Sequence, residues 1–182
     1  MFSHTLPALF SRSETAEIIR LAEDGRLKRG GLVGGQRHDN IRRADICWLD
    51  DQGNASWVMD RIVDAVARAN RAAFNFDITE FKEKLQVAAY DESDEGHYDW
   101  HSDIGDGPIA RYRKLTIVTQ LSDDEDYEGG ELELNVGSDV TIAPRERGSS
   151  TLFASFMLHR VVPVKKGKRY SLTSWCHGPE FR

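Results

Sequence analysis

Long apolar runs are missing from this chain of 182 residues. No window comes near the roughly 18 consecutive apolar residues that a membrane span needs, so no membrane partner is expected. Cysteine is almost absent: Cys47 and Cys176 are too few for a disulfide scaffold and read as core thiols of a cytoplasmic protein. The opening MFSHTLPALFSRSE has no cationic stretch followed by a long apolar one, so no secretory leader is expected. Positive charge is also short, with 24 Lys and Arg against 30 Asp and Glu; a net charge of −6 argues against nucleic acid as a partner. Repeats, low-complexity tracts and Pro/Ser-rich linkers are lacking, so residues 1–182 read as one domain, a monomer or homodimer. What is present, 40% hydrophobic residues with four Trp and eight Phe, is enough to bury a core.

The pattern changes period along the chain. Ser11, with Glu14 three residues on, forms a capping box for a helix whose apolar side holds Ile18, Ile19 and Leu21 and which stops near Gly25. Residues 25–43 carry five glycines and six basic residues and read as a mobile loop or short strands. Residues 45–49 form a short strand. A second helix follows, capped by Asn54, with Trp57, Val58, Ile62, Val66, Ala69 and Ala73 at helical spacing. After residue 83 the period falls to about two. Strands are expected at 85–90, 97–101, 114–121, 130–134, 139–143, 150–154, 159–164 and 169–176, with turns at the acidic and glycine clusters and at the KKGK of 165–168. This pattern predicts a mainly β (α+β) fold, a sandwich or barrel with the N-terminal helices packed on one sheet.

The chemistry concentrates in GHYDWHSD, residues 96–103. His101 and Asp103 are two apart, so on a strand they leave the same face and can take adjacent corners of a metal's coordination sphere. A further histidine would complete a 2-His-1-carboxylate triad with three positions open for Fe(II) chemistry. His97 and Asp99 make a second His-x-Asp on the same nominal face, and spacing alone does not choose between the pairs. The third ligand must come from His4, His38, His159 or His177; His159 stands between two apolar runs. Ten residues later comes Arg169, which a hairpin would return to the neighbourhood of His159. A buried arginine needs an anion, and the distal carboxylate of a dicarboxylic cosubstrate would supply one.

His101-Ser-Asp103, then His159, then Arg169 ten positions on resembles the Fe(II)/2-oxoglutarate-dependent dioxygenases. Tyr90-DESDEG-HYDW-His101-S-Asp103, RKLT at 113–116, EGGEL at 128–132 and HRVVPVKKGKRYSLTSW at 159–175 resemble their prolyl-4-hydroxylase-like branch over residues 85–178. Tyr98, three before the ligand histidine in that pattern, selects His101 and Asp103 over His97 and Asp99. The resemblance implies a double-stranded β-helix (jelly roll) at 84–178, with 1–83 as helical support and mobile loop. It implies metal ligands His101, Asp103 and His159, with 2-oxoglutarate held by Arg169 and Tyr90 and assisted by Thr173. Trp175 would wall the pocket, Gln120 stands where some relatives place a tyrosine, and Gly129-Gly130 make a hairpin turn. The implied activity is O2-dependent hydroxylation of an unactivated C–H bond with conversion of 2-oxoglutarate to succinate and CO2, ascorbate serving as reductant.

Tyr98, Trp100, Arg111, Gln120 and Trp175 are expected to line the substrate pocket, with His97 and Asp99 near its mouth and Arg37, Arg42 and Arg43 on a loop that could close as a lid. The acidic run Asp123, Asp124, Glu125, Asp126 lacks calcium-loop spacing and reads as a solvated turn. Three readings follow: hydroxylation of a prolyl residue in a peptide or protein; the same chemistry on a free amino acid or small metabolite; or a non-catalytic jelly-roll binding module.

Overall fold

The computed structural model describes residues 3–30 and 41–181. In chain order the elements are β1 (Ser3–Leu6), α1 (Arg12–Asp24), β2 (Lys28–Arg29), β3 (Arg42–Arg43), β4 (Asp45–Trp48) and α2 (Ser56–Ala69). Then come β5 (Gln86–Asp91), β6 (His97–His101), β7 (Arg113–Gln120), β8 (Tyr127–Gly129) and β9 (Leu132–Val136). The chain ends with β10 (Asp139–Ile142), β11 (Ser150–Ala154), β12 (His159–Val161) and β13 (Val164–His177). A larger sheet runs β1-β11-β7-β13-β5-β4-β2, with β8 also pairing β13, and a smaller one runs β10-β9-β12-β6-β3. Neighbouring strands are antiparallel. The two sheets face each other as a double-stranded β-helix, the expected fold.

Period two decides which side chains enter the space between the sheets. On β13, Tyr170, Leu172 and Cys176 join Ile18, Leu21, Val58, Ile62 and Val66 of the helices in one buried cluster, so α1 and α2 cover the outer face of the larger sheet. Arg169, Ser171, Thr173 and Trp175 alternate with them and point the other way. Ile62 is fully buried in that cluster, and Ile62→Ala is expected to cost about 2–5 kcal/mol in urea unfolding without changing metal affinity.

Helix α1 begins as expected: the Glu14 N–H donates to Ser11 Oγ at 3.2 Å, the Ser11 N–H donates to Glu14 Oε2 at 2.8 Å, and Gly25 ends the helix. Helix α2 differs. Its first turn follows Ala55, which makes no side-chain cap, so Asn54 does not cap it. The strand expected at 45–49 is β4, which pairs β5, and β3 pairs β6 within the glycine-rich stretch; β1, which pairs β11, was not expected. Of the basic loop, Arg37 and His38 lie outside the described residues.

The hairpin expected to carry Arg169 back to His159 is absent. The KKGK segment is part of β13 itself, with Lys166 opposite Glu128 and Gly167 opposite Tyr127. His159 sits on the smaller sheet and Arg169 on the larger, so facing sheets rather than a turn bring them to one interior. Gly129 and Gly130, at φ +76 and +66, make this possible. A Cβ on Gly129 would strike the Pro163 carbonyl, and one on Gly130 would stand 3.1 Å from Arg169 Cδ.

Candidate active site

A bulge in the smaller sheet resolves the two His-x-Asp pairs. His159 stands opposite His101 and Val161 opposite Tyr98, so three steps on β6 match two on β12. Tyr98 and His101, three apart, therefore both face inward; their rings stack with centroids 3.5 Å apart and planes 14° apart. Asp99 is exposed, and neither His97 nor Asp99 lines the interior. The expectation that all four share one face fails because the bulge breaks the alternation.

His101, Asp103 and His159 gather their ligand atoms within 4.8 Å of one another, the one such group of His, Cys, Asp and Glu among the described residues. Each imidazole is oriented by its other nitrogen. His101 Nδ1 lies 2.7 Å from the Asp99 carbonyl and His159 Nδ1 3.0 Å from the Met157 carbonyl. A carbonyl only accepts, so both Nδ1 carry a proton, which leaves Nε2 as the atom of each ring available to a metal. These Nε2 atoms are 3.7 and 3.5 Å from the Asp103 carboxylate. Burial and the neighbouring His159 push the His101 pKa down to about 4, which keeps the ring neutral as a metal ligand must be. Burial alone would raise the pKa of Asp103, but His159, His101, Arg113 and the Thr116 hydroxyl hold it below the usual carboxylate range. Thr116 Oγ1 donates to Asp103 Oδ2 at 2.7 Å.

The interior has two connected chambers. The inner one is lined by the triad with Tyr90, Val118, Leu132, Val161, Ser171 and Thr173. The outer one, about 320 Å³, is walled by Trp48, Glu83, Ser102, Pro108, Ile109 and Arg113 among others. Arg42, Gln86, Tyr98, Asp103 and Trp175 border both, so Asp103 of the triad stands where the two meet, with His101 and His159 on the inner side. Burial pushes the Tyr98 hydroxyl up to about 12, so it remains a hydrogen-bond donor at neutral pH.

Arg169 is 1% exposed, opposite Tyr90 in the ladder, with its guanidinium 5.4 Å from the Tyr90 ring centroid. Nε and Nη2 both donate to Gln120 Oε1, at 3.2 and 2.9 Å, while Nη1 has no partner among the described residues. A buried cation held by a neutral amide, with one donor unsatisfied, fits a missing carboxylate. Gln120 thus stands beneath Arg169 rather than on the substrate side.

Two other expected pocket residues are elsewhere. Trp100 is on the outer face of the smaller sheet, where Arg160 Cζ lies 4.8 Å from its ring, itself paired with Glu133. Arg111 borders a separate surface recess with Ile104 and Phe181, and its Nη1 is 3.5 Å from Glu180. Tyr98, Trp175, Tyr90 and Thr173 do line the cleft. Of the basic loop, Arg42 borders the cleft and donates to Gln86 Oε1 at 2.8 Å, whereas Arg43 donates to the Asp94 carbonyl at 3.1 Å. The wall residues Glu83 and Gln86 escaped the sequence reading, because their partners are distant in the chain and no local motif marks them; Arg113 opens the RKLT stretch, but nothing local assigned it to the wall.

The sequence profile of the 2OG-Fe(II) oxygenase superfamily matches residues 85–177, from the first strand of the larger sheet's centre to the last residue of β13. The chain belongs to the 2OG-Fe(II) oxygenase superfamily. Fe(II), 2-oxoglutarate and O2 are the cofactor and cosubstrates of that family, and the triad and Arg169 have the chemistry to receive the first two. A PKHD-type hydroxylase of Synechococcus sp. (strain CC9605) is 28% identical over 130 residues, 70% of this chain and 56% of that protein. A PKHD-type hydroxylase of Alteromonas mediterranea is 34% identical over 83 residues, 43% of this chain and 37% of the relative. The chain thus spans between about a third and just over half the length of these relatives. Among solved structures, a Trichoplax adhaerens prolyl hydroxylase in complex with a hypoxia inducible factor peptide fragment superposes with TM-score 0.80 at 22% identity, covering 96% of this chain and 83% of the other. A Pseudomonas putida prolyl-4-hydroxylase gives 0.77 at 21% identity, covering 97% and 92%. At these identities the likeness is one of fold.

Proposed function

We propose that this oxygenase hydroxylates an unactivated C–H bond of a prolyl residue in a peptide or protein. The observation that carries the reading is the His101–Asp103–His159 triad sharing one interior with a buried Arg169 whose Nη1 has no partner among the described residues. His101 Nε2, His159 Nε2 and an Asp103 oxygen would hold Fe(II). Arg169 Nη1 would receive the distal carboxylate of 2-oxoglutarate, with Tyr90 and Thr173 beside the chain of the keto acid. When bound, Fe(II) and 2-oxoglutarate supply O2 activation coupled to decarboxylation of the keto acid, and ascorbate would serve as reductant. The protein's own work is placement. Asp103 offsets part of the metal's charge, the neutral imidazoles fix its position, and the buried walls exclude water while one substrate C–H bond is presented.

Residues 84–178 carry this chemistry in our reading, with 1–83 as support. The prolyl substrate is supported by the fold shared with prolyl hydroxylases, one of them holding a peptide, and by the open outer chamber, where Trp48, Pro108 and Trp175 offer apolar surface to a pyrrolidine ring and its flanking chain. A reducing, cytoplasmic setting accords with Cys47 and Cys176 as buried free thiols, and no helix among the described residues is long and apolar enough to cross a membrane. The test is mass spectrometry of proline-containing peptides and free amino acids incubated with protein, Fe(II) and 2-oxoglutarate in air. One added oxygen on a peptidyl proline is expected. Addition to a free amino acid alone would move the substrate to the small-molecule class, and no addition to any candidate with no succinate formed would contradict an enzymatic role.

A further inference from the structure

The outer chamber's wall contains an ion-pair chain that the oxygenase reading does not use. Asp103 lies beyond the end of β6, so no strand ladder fixes its main chain. Two bonds do so instead: its N–H donates to the Ser155 carbonyl at 2.9 Å, and its carbonyl accepts from Arg113 Nη1 at 3.0 Å. The same guanidinium grips Glu83, with Nε 2.7 Å from Oε2 and Nη2 donating to Oε1, and its Cζ lies 4.1 Å from the Trp175 ring centroid. Glu83 Oε2 also accepts from His177 Nε2 at 3.0 Å. The Lys82 N–H donates to His177 Nδ1 at 3.3 Å, which places the imidazole proton on Nε2 and aims it at Glu83. His177 is fully buried, and its main chain is tied to residues 79 and 80 by bonds of 2.8 Å.

One arginine therefore makes three contacts at once: a two-point pair with Glu83, a bond to the main chain of a triad residue, and a face on the aromatic wall of the cleft. Only a planar guanidinium with five donors can do this; an ammonium is a single point. Burying such a pair gives little net stability compared with an apolar wall, so its geometry is the better reason for it. We propose that Arg113 is a positioning residue, locked by Glu83 and His177, that sets the reach of the Asp103 carboxylate toward the metal and the tilt of Trp175 over the substrate. The inference rests on the metal-site reading above and goes beyond it.

The test measures Mn(II) affinity of the whole protein by electron paramagnetic resonance, at a temperature where circular dichroism shows each variant folded. Arg113→Lys keeps the charge but cannot reach Glu83 and Asp103 together, and metal affinity is expected to fall about 10–100-fold, the usual cost of a lost outer partner. Glu83→Gln keeps the shape but removes the charge that fixes the guanidinium; it should weaken Mn(II) roughly 10-fold and carries the test if Arg113→Lys does not fold. A purely structural pair would lower the melting temperature and leave the affinity of the folded protein unchanged, and that result in either folded variant would overturn the proposal. His101→Ala separates the two readings. If it binds Mn(II) as wild type does, the metal site itself is wrong and the proposal falls with it. If it binds none while folded Arg113→Lys binds normally, only the positioning role is lost.

Discussion

His101→Ala, Asp103→Ala and His159→Ala should each abolish tight binding of Fe(II) or Mn(II), while His97→Ala retains it. The first three remove one of only three protein ligands, so the loss should exceed the roughly 100-fold that an outer partner costs. Asp103→Ala is the severest, because it also removes the negative charge that offsets the divalent cation and leaves Thr116 Oγ1 without its 2.7 Å acceptor. None of these changes touches the helix-covered cluster of Ile18, Ile62 and Leu172, so the variants should remain folded. Calorimetric titration with Mn(II) checks this. Loss of binding in His97→Ala with retention in His101→Ala would reverse the choice that the bulge in β6 imposes.

Arg169→Ala should raise the 2-oxoglutarate concentration needed for half-maximal turnover by at least ~30-fold. Truncating one member of a buried, hydrogen-bonded charge pair costs about 2–5 kcal/mol, and each 1.4 kcal/mol is about tenfold in binding. The effect should fall on the cosubstrate and not on the metal, since Arg169 contacts Gln120 and Tyr90 and none of the triad. Arg169→Lys should lie between, because a single ammonium cannot both satisfy Gln120 and meet a carboxylate in two-point fashion. Unchanged dependence on 2-oxoglutarate in Arg169→Ala, with Mn(II) affinity intact, would remove its assigned role.

What the sequence disclosed depended on how local the cause was. The capping box of α1 was legible because Ser11 and Glu14 are three apart and both sides of the exchange lie within one turn. The strands of the β-rich half were legible for the same reason, since period two is a nearest-neighbour property. The start of α2 was not, because Asn54 is followed by Ala55, which takes the cap position without a side-chain bond. Tyr98 and His101 illustrate a subtler failure. Their shared inward face follows from the extra residue opposite β12, which is a fact about the partner strand and not about β6 alone.

Trp100, next to the inward His101, points outward to Arg160 as plain alternation from His101 requires. Arg169 reached the interior, but by way of the facing sheet and not by a hairpin, because KKGK continues the strand against β8. The least legible part was the chain His177–Glu83–Arg113. Its members are 94 and 30 residues apart, and although Arg113 opens the RKLT stretch, nothing local pairs it with Glu83 or His177; only the ladder of β7 and β13 brings them together. A carboxylate at the boundary between the helical and strand-rich parts, Glu83, offered no local signal at all.

The charge distribution gains meaning from these contacts. The net −6 describes the solvated surface, where Asp123 pairs with Arg12 and Arg147, and Glu95 with Lys165. Inside, the balance is different. Asp103 faces two imidazoles and Arg169 faces a neutral amide, which leaves one interior position suited to a cation and another to a carboxylate.

The most direct measurement is iron-dependent conversion of 2-oxoglutarate to succinate by the wild-type protein, run beside His97→Ala and His101→Ala with a proline-containing peptide present. The expected result is succinate from the wild type and from His97→Ala, and none from His101→Ala. Succinate from His101→Ala at the wild-type rate, or none from the wild type with iron bound, would contradict the assignment of this cleft as the oxygenase centre.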